Sequence, residues 1–521
     1  MSDSSITFLV LGVMVALFVW NRFPSAVVAV AGALALWGAG VLELGQALEG
    51  FSSTTVLFVG ALFIVSEALD ATGITAWLGQ VLIDRVGTGR TRVVTAVMLL
   101  AAVATAFVTA NAAVAALVPV VVIIATRVGQ LASQMMMPLA FAAHAGSLLT
   151  LTGRPANVIL SEAAAEAGVG RFGFFEFAIA GVPLLIGTIA IVLVAGPRLL
   201  PHRDPTIATP DLSALEDTLR RHYRVADGMD GELFGRKYGA AEFVVTPRST
   251  LVGRTLGPSD AVPDTELEVL AIARGSRRFD RSVVLDAGDT LLVRGSWQAL
   301  SVGAAGGGIR AIDSPDLVRR QAVPLGLGAA ETAVVLAALV VVLVFGLMPP
   351  APAAMVAACL IVVLRVLTID QAFAAVNWSA VVLVAGMLPL STAMRTSGAA
   401  DLIAARLVDV VGDAGPGPLL LALFVVTALL GQVMSNTATT LILIPIGLAA
   451  AGQLDVAVEP VLMCIGVGSA AALLTPVATP SNMMIMDPGG YRFGDYWKLG
   501  SVVLVWYALV AVVFVPFVLG T

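Results

Sequence analysis

The sequence predicts a polytopic α-helical membrane protein built of two related halves, with a small soluble domain inserted between them. Hydrophobic residues make up 58% of the 521 residues and charged residues only 12%, with a mean hydropathy of +0.96. A soluble chain carries roughly a quarter charged residues. The apolar residues form long runs across 6–200 and again across 326–520, and crossing a bilayer takes about 20 of them per helix. Between these regions, from His202 to about Arg320, the chain becomes rich in Arg, Asp, Glu, Gly and Pro, and apolar runs shrink.

The first run, ITFLVLGVMVALFVW, follows the acidic start MSDSS. A secretory signal would have a basic start and a small-residue cleavage site, so this run is expected to be a retained first span. Among short loops, RVGTGRTR (85–92) is basic and LELGQALEG (42–50) acidic, which favours a cytoplasmic 85–92 segment. In the insert, AEFVVTP, EVLAIAR and TLLVRG are short β-branched runs bounded by Pro, Gly and Asp, the pattern of a small β-rich domain. The stretch 201–230 is more polar and reads as helix or tether, and GAAGGG at 303–308 as a flexible return to the membrane. The expected divisions are a first membrane repeat at 1–200, an insert at 201–322 and a second membrane repeat at 323–521. Cys359 and Cys464 lie in apolar runs and read as packing residues. A net charge of −6 and a pI near 5.2 argue against nucleic acid as a partner.

The two membrane regions resemble each other. FSSTTVLFVGALFIVSEALDATGITAWL (51–78) aligns with NWSAVVLVAGMLPLSTAMRTSGAADLI (377–403). TANAAVAALVP (109–119) aligns with SNTATTLILIP (435–445) at a constant offset of 326, and LTLTGRPANVI (149–159) with LTPVATPSNMMI (474–485) one residue off that register. Three matches in one order constitute an internal repeat. In membrane proteins such halves are the mark of transporters that bind substrate where the repeats meet.

Each half carries two polar stretches inside apolar sequence. In the second half these are Ser435-Asn436-Thr437 and Thr475-Pro476-Val477-Ala478-Thr479-Pro480-Ser481-Asn482. Proline lacks the helical N–H and clashes with the preceding turn, so the second stretch predicts a helix that breaks. Broken backbone at membrane depth is tolerated only where it is buried in protein or lines a cavity. Exposed carbonyls with Ser, Thr and Asn oxygens suit a small cation, and exposed N–H groups suit an anion. Such residues singly serve as helix–helix stitching; paired clusters repeated in both halves point to ion binding.

Ser435-Asn436-Thr437 followed by ATTLILIP, with TPVATPSN downstream, resembles the divalent anion–sodium symporter family of the ion transporter superfamily, over both membrane halves. The resemblance implies about 11 transmembrane helices in two inverted repeats, each with a re-entrant hairpin and a broken helix. It implies a substrate site of Thr109, Asn111, Arg154, Ser435, Asn436, Thr437, Thr479 and Pro480. It likewise implies a sodium site of Ser435, Asn436, Thr437, Thr475, Ala478 and Asn482, matched in the first half by Thr109, Ala110, Asn111, Thr152 and Asn157. The first half departs from the family pattern. Ala110 removes the amide at the central tip position, and Arg154 stands where a threonine is expected. Arg154 has three readings: a substitute for the ion, a two-pronged contact to the anion, or a side chain snorkelling to the interface. His144, before this break, reads as a packed, hydrogen-bonded residue or as a proton or substrate contact. Glu67, Asp70 and Arg365 lie near span ends and Glu331 begins a span; they read as interfacial or structural.

The run YGAAEFVVTPRSTLVGRTLG…LDAGDTLLVRGSWQAL (238–300) resembles a TrkA-C domain, the C-terminal module of potassium-conductance regulators. The order Glu-Val-Val-x-Pro-x-Ser-x-Leu-x-Gly-x-Thr-Leu is followed from Glu242 to Leu256, departing at Phe243, and Gly-Asp-x-Leu-Leu-Val-x-Gly at 288–295. This implies one small α/β domain at about 231–303 that dimerises. Its role is open between sensing a nucleotide or other small ligand and clamping a dimer. Arg274, Arg277 and Arg278 read as an exposed basic loop or as the contact for an anionic ligand.

The expected protein is an elevator-type symporter of a divalent anion, sulfate or a small dicarboxylate, coupled to sodium. It is expected to be a homodimer, multi-pass in a bacterial inner membrane and surrounded by lipid, with a cytoplasmic insert. No cofactor beyond the coupling ion is expected. The alternatives are a ligand-gated channel, and a proton-coupled or uniport anion permease, controlled by the insert. A channel would need a filter of backbone carbonyls, and no such loop is seen. An enzyme is not expected, because no His, Cys or carboxylate set has metal or nucleophile spacing.

Overall fold

The computed structural model describes the chain apart from residues 1, 21, 75–76, 78–88, 204–218, 221, 224–232, 236–237, 264, 276, 280, 306–307, 314, 316–317, 319–325, 327, 412–414 and 521. Most of the 201–230 stretch, much of the basic 85–92 segment and part of the GAAGGG run thus lie outside the described residues. The chain divides into two compact units. The first comprises Met1–Asp70, Leu78–Ala208 and Ala330–Thr521, and the second Ala71–Trp77 and Thr209–Ala329.

Among the described residues the regular structure of the first unit is helical throughout. Among the described residues seven helical stretches are long and apolar enough to cross a membrane: Asp3–Trp20, Leu44–Ala71, Arg90–Phe107, Ala178–Leu199, Trp378–Thr396, Asn436–Leu454 and Phe493–Leu519. Shorter apolar helices, including Ser25–Gly38, Pro350–Val363, Pro416–Leu430 and Val458–Ala470, accompany them. At a rise of about 1.5 Å per residue, a 14-residue helix such as Ser25–Gly38 reaches well short of a ~30 Å hydrocarbon layer.

Helix ends follow local chemistry. Arg90–Phe107 stops at Val108, which is extended, and Ala110–Arg127 starts two residues later. Pro416–Leu430 ends before a turn at 431–434, and Ser435 caps Asn436–Leu454 by accepting from the Ala438 N–H at 3.3 Å. Both junctions fall on the two predicted tips. Arg154 and Thr479 are extended, and each precedes a proline at the first position of the next helix, Pro155–Glu166 and Pro480–Met484. The residue before proline is pushed out of the α region by the ring's Cδ, while proline itself suits the first helical position. Helices Met136–Gly146 and Val458–Ala470 end well before these points, leaving 147–154 and 471–479 without α-helix.

The halves interlock. Trp378–Thr396 packs on Ser25–Gly38, and Tyr496–Leu509 packs on Ala178–Leu199. One continuous apolar core runs from Met14 to Val515, with Phe58, Phe141, Phe177, Phe424 and Tyr496 among its largest buried members.

The second unit is a small α/β domain. Its strands are β1 (Tyr238–Val245), β2 (Thr255–Leu256), β3 (Glu268–Arg274), β4 (Arg277–Phe279), β5 (Val283–Val284), β6 (Thr290–Ser296) and β7 (Ile309–Ala311). Five form an antiparallel sheet in the order β4-β3-β6-β1-β7, and β2 pairs with β5. Helix Trp297–Ala305 packs on β1, β6 and β7. Phe243, Val245, Val269, Ile272, Leu291, Val293, Trp297 and Leu300 form its core. Phe243 is fully buried. Arg274 is not a free contact for an anion. Its guanidinium grips Asp289 with both arms, Nε to Oδ1 at 2.6 Å and Nη2 to Oδ2 at 2.8 Å, and Asp289 also accepts from the Asp286 N–H. Arg277 lies over the Phe279 ring.

Candidate binding site

The two broken segments are built alike. In the first, Asn157 donates its amide to the carbonyls of Ser147 (2.9 Å) and Thr150 (2.8 Å). In the second, Asn482 donates to those of Ala472 (2.8 Å) and Thr475 (3.1 Å). The spans are 10 and 7 residues in both. One carboxamide thus holds two carbonyls that the lost helix leaves unpaired, which would otherwise be costly in a buried setting.

Glycine brings a later helix, Ala178–Leu199 or Tyr496–Leu509, down on each break. A Cβ on Gly181 would stand 2.3 Å from the Leu148 carbonyl oxygen, and one on Gly500 would stand 2.3 Å from that of Leu473. Only a bare α-carbon fits at those separations.

The other end of each carboxamide meets a nitrogen-bearing side chain of the first half. Arg154 Nε donates to Asn157 Oδ1 at 2.8 Å, and Arg154 Nη2 donates to the Gly466 carbonyl. His144 Nε2 lies 3.1 Å from Asn482 Oδ1 and 3.4 Å from Thr479 Oγ1. The Asn482 amide nitrogen is committed to two carbonyls, so its oxygen faces the ring. Nε2 therefore carries the hydrogen. Arg154 is 8% exposed and His144 4%, so the guanidinium is inside the protein instead of extending out of it.

Hairpin and break are joined in each half at matching positions by different chemistry. In the first half the Ala106 carbonyl accepts from the hydroxyls of Thr150 and Thr152, the latter at 3.2 Å. In the second, Gln432 stands 326 residues on from Ala106. Gln432 accepts from the Leu474 N–H and donates to the Ala471 carbonyl, both at 3.0 Å.

The tips are placed as follows. The Thr109 N–H faces Ser66 Oγ at 3.4 Å, Ala110 begins its helix, and Asn111 Oδ1 accepts from the Ser481 N–H at 3.2 Å. The first tip thus touches the second break. Ser435 caps its helix and is exposed, and the Asn436 carbonyl accepts from Thr440 Oγ1 at 2.8 Å. Asn436 Oδ1 and Thr439 Oγ1 are buried without a hydrogen-bond partner. Thr437 is half-buried beside them. Thr475 Oγ1 accepts from the Ala478 N–H, Thr479 caps the helix that Pro480 opens, and Tyr496 closes the segment from behind by donating to the Asn482 carbonyl at 2.6 Å.

Gln432, Tyr496, Gly181, Gly500 and Gly466 were not among the residues singled out from sequence, and Ser481 was named only as part of the polar stretch 475–482. A polar Gln432 in an apolar run three residues before Ser435 was a readable signal; the others had none. A cavity of about 270 Å3 elsewhere in the membrane unit is lined by Glu49, Glu162, Glu166 and Arg395 among others, with Arg395 paired to Glu166 at 3.3 Å. Glu162 is in turn paired to Arg171 at 3.0 Å.

The family model described as citrate transporter (CitMHS) matches residues 15–440 and, in a second alignment, 340–520. A transporter of Escherichia coli (strain K12), YfbS, is 26% identical over 97% of this chain and 97% of its own length. Sodium/sulfate cotransporter 1 of Chlamydomonas reinhardtii is 27% identical over 31% of this chain and 18% of that protein. The solved YdaH transporter of Alcanivorax borkumensis is 14% identical, with a TM-score of 0.49 over 97% of this chain and 98% of its own. The chain belongs to the CitMHS citrate transporter family and is a membrane transporter.

Proposed function

We propose that this transporter is a sodium-coupled symporter of a small divalent or polycarboxylic anion, with sulfate and dicarboxylates as the leading candidates and citrate added by the family's name. The reading rests on one observation: two matching unwound segments, each clamped by an asparagine, lie beside helix-hairpin turns inside an otherwise apolar bundle. The first turns of helices Ala110–Arg127 and Asn436–Leu454 offer N–H groups to an anion, and the buried free oxygens of Asn436 and Thr439 offer ligands to a cation. The names of the sodium/sulfate cotransporters among its relatives agree with this pairing.

In this reading the substrate side is formed by Thr109, Asn111, Arg154, Ser435, Asn436, Thr437, Thr479 and Pro480. The cation side is formed by Ser435 to Thr437, Thr475, Ala478 and Asn482. Transport is elevator-like, with the hairpins and breaks moving against a dimerised scaffold. The protein sits in a bacterial inner membrane with its insert, a TrkA-C type module, in the cytoplasm. The insert has a groove of about 830 Å3 lined in part by Ser249, Thr265, Glu266, Ser296 and Gln298, room enough for a small ligand.

The test is radiolabelled uptake into proteoliposomes of sulfate, succinate and citrate in turn, with and without an inward sodium gradient. Saturable uptake stimulated several-fold by sodium is expected for at least one. Uptake indifferent to sodium but driven by a proton gradient would replace the coupling ion. Absence of saturable uptake of all three would sink the anion assignment.

A further inference from the structure

The two halves are chemically unequal at matching positions, and the inequality has one sign. In the hairpin register Asn436 and Thr439 of the second half stand where the first half has Ala110 and Ala113. In the register of the breaks Thr479 of the second half stands where the first half has Arg154. Asn436 Oδ1 and Thr439 Oγ1, three residues apart on one helix face, are buried oxygens with no partner. A buried acceptor left unmet is costly, and a cation would satisfy it. The first half has only methyl groups there and so has no such need.

What the first half has is a positive charge of its own. Arg154 is 8% exposed, and its guanidinium is held by Asn157 Oδ1 at 2.8 Å and by the Gly466 carbonyl. No described carboxylate pairs with it. Nη1 is buried and has no partner. A buried charge held only by neutral oxygens is held as a bare cation would be held, and it leaves a net positive charge that favours a nearby anion.

Resting on the sodium-coupled reading above, we propose that Arg154 is a tethered cation that completes the first half-site without an ion from solution, so that a single coupling cation is taken up, in the second half, at Asn436 and Thr439. The anion would then be balanced by one fixed and one mobile positive charge. The inequality also sets the roles. The mobile ion makes binding sodium-dependent, and the fixed one makes anion affinity depend on residue 154.

The experiment uses purified full-length protein and needs no transport. Equilibrium binding of radiolabelled sodium is expected to give about one ion per chain for the wild type and none for Asn436→Ala. Two ions per chain, no sodium binding at all, or full binding in Asn436→Ala would each overturn the proposal. Arg154→Gln is expected to keep the sodium count at one while weakening the thermal shift produced by sulfate, succinate or citrate tenfold or more in midpoint concentration. Arg154→Lys, which retains the charge, is expected to restore most of that affinity. An unchanged anion midpoint in folded Arg154→Gln would overturn the role given to the tethered charge. Should Arg154→Gln fail to fold, Arg154→Lys decides the role of the charge: anion binding lost in folded Arg154→Lys would overturn it, while the wild-type count and Asn436→Ala decide the number and place of the mobile ion. Should none of the three anions shift the wild type, the substrate assignment fails while the sodium count stands.

Discussion

Asn157 and Asn482 use both ends of one short side chain. Each amide nitrogen holds two carbonyls of unwound backbone, and each oxygen is met by Arg154 or His144. Aspartate in the same place has no N–H to give, and alanine has neither end. Asn482→Ala is therefore expected to leave two carbonyls and the His144 donor unmet. At about 1–3 kcal/mol for each buried group left unsatisfied, the melting temperature falls markedly and uptake is lost. His144→Gln keeps a donor for Asn482 Oδ1 and is expected to melt closer to the wild type than His144→Ala; equal melting of the two would contradict the hydrogen placement on Nε2. The same logic applies to Tyr491, whose hydroxyl accepts from the Met137 N–H at 3.0 Å and donates to the Ser133 carbonyl. Tyr491→Phe is expected to cost on the order of 1–3 kcal/mol, read as a lower thermal midpoint with sodium binding intact.

At the scale of elements, the breaks and the tips are one design repeated and then varied. Proline after an extended residue opens a new helix past Arg154 and Thr479, asparagine stabilises the unwound segment before it, and glycine lets a later helix, Ala178–Leu199 or Tyr496–Leu509, close over it. Gly181→Ala and Gly500→Ala each place a methyl within 2.3 Å of a backbone oxygen that has little freedom to retreat. Both are expected to destabilise by about 1–3 kcal/mol through overpacking. Comparable losses at the two sites, measured by thermal melts, would confirm their equivalence. The link between hairpin and break is carried by a backbone carbonyl at Ala106 and by a side chain at Gln432. Gln432→Ala thus disconnects the second hairpin, whereas Ala106 has no side-chain bond to remove. Gln432→Ala is expected to lower uptake sharply, with a smaller effect on the melt than Asn482→Ala.

At the scale of the whole molecule, the insert carries an ion pair, Arg274–Asp289, that answers to pH. Burial opposes the charge on Asp289, but the Arg274 guanidinium and the Asp286 N–H outweigh it and hold the carboxyl below the usual aspartate range. A carboxyl depressed on folding lends stability at pH values above its unfolded value of about 3.9, and that stability is lost as pH falls through the folded value. The insert's transition in a melt of the full chain is expected to be level from neutral pH down to about 5 and to drop below about 4. Asp289→Asn is expected to melt lower at neutral pH and to lose most of that acid-side fall. An identical acid profile in the variant would assign the drop to other carboxyls.

Composition and periodicity alone determined that the chain is a helical membrane protein in two related halves with an inserted domain, and proline and glycine marked where its helices stop. Those features are covalent or local: a pyrrolidine ring without an N–H, a run of apolar residues longer than a bilayer is thick, a repeated order of residue types. Even the two tips were legible, because Ser435 caps and Val108 ends helices through contacts within a few residues. Only the tertiary structure decided what meets what. Asn111 and Ser481 lie 370 residues apart, and His144 and Asn482 lie 338 apart. No local rule links such pairs; they meet because the halves interlock and bury each other's polar groups. The three readings of Arg154 were equal in the sequence because a guanidinium's partners are chosen by the fold. Burial against Asn157 and Gly466, with no carboxylate among the described residues paired to it, is what gives that single residue its meaning.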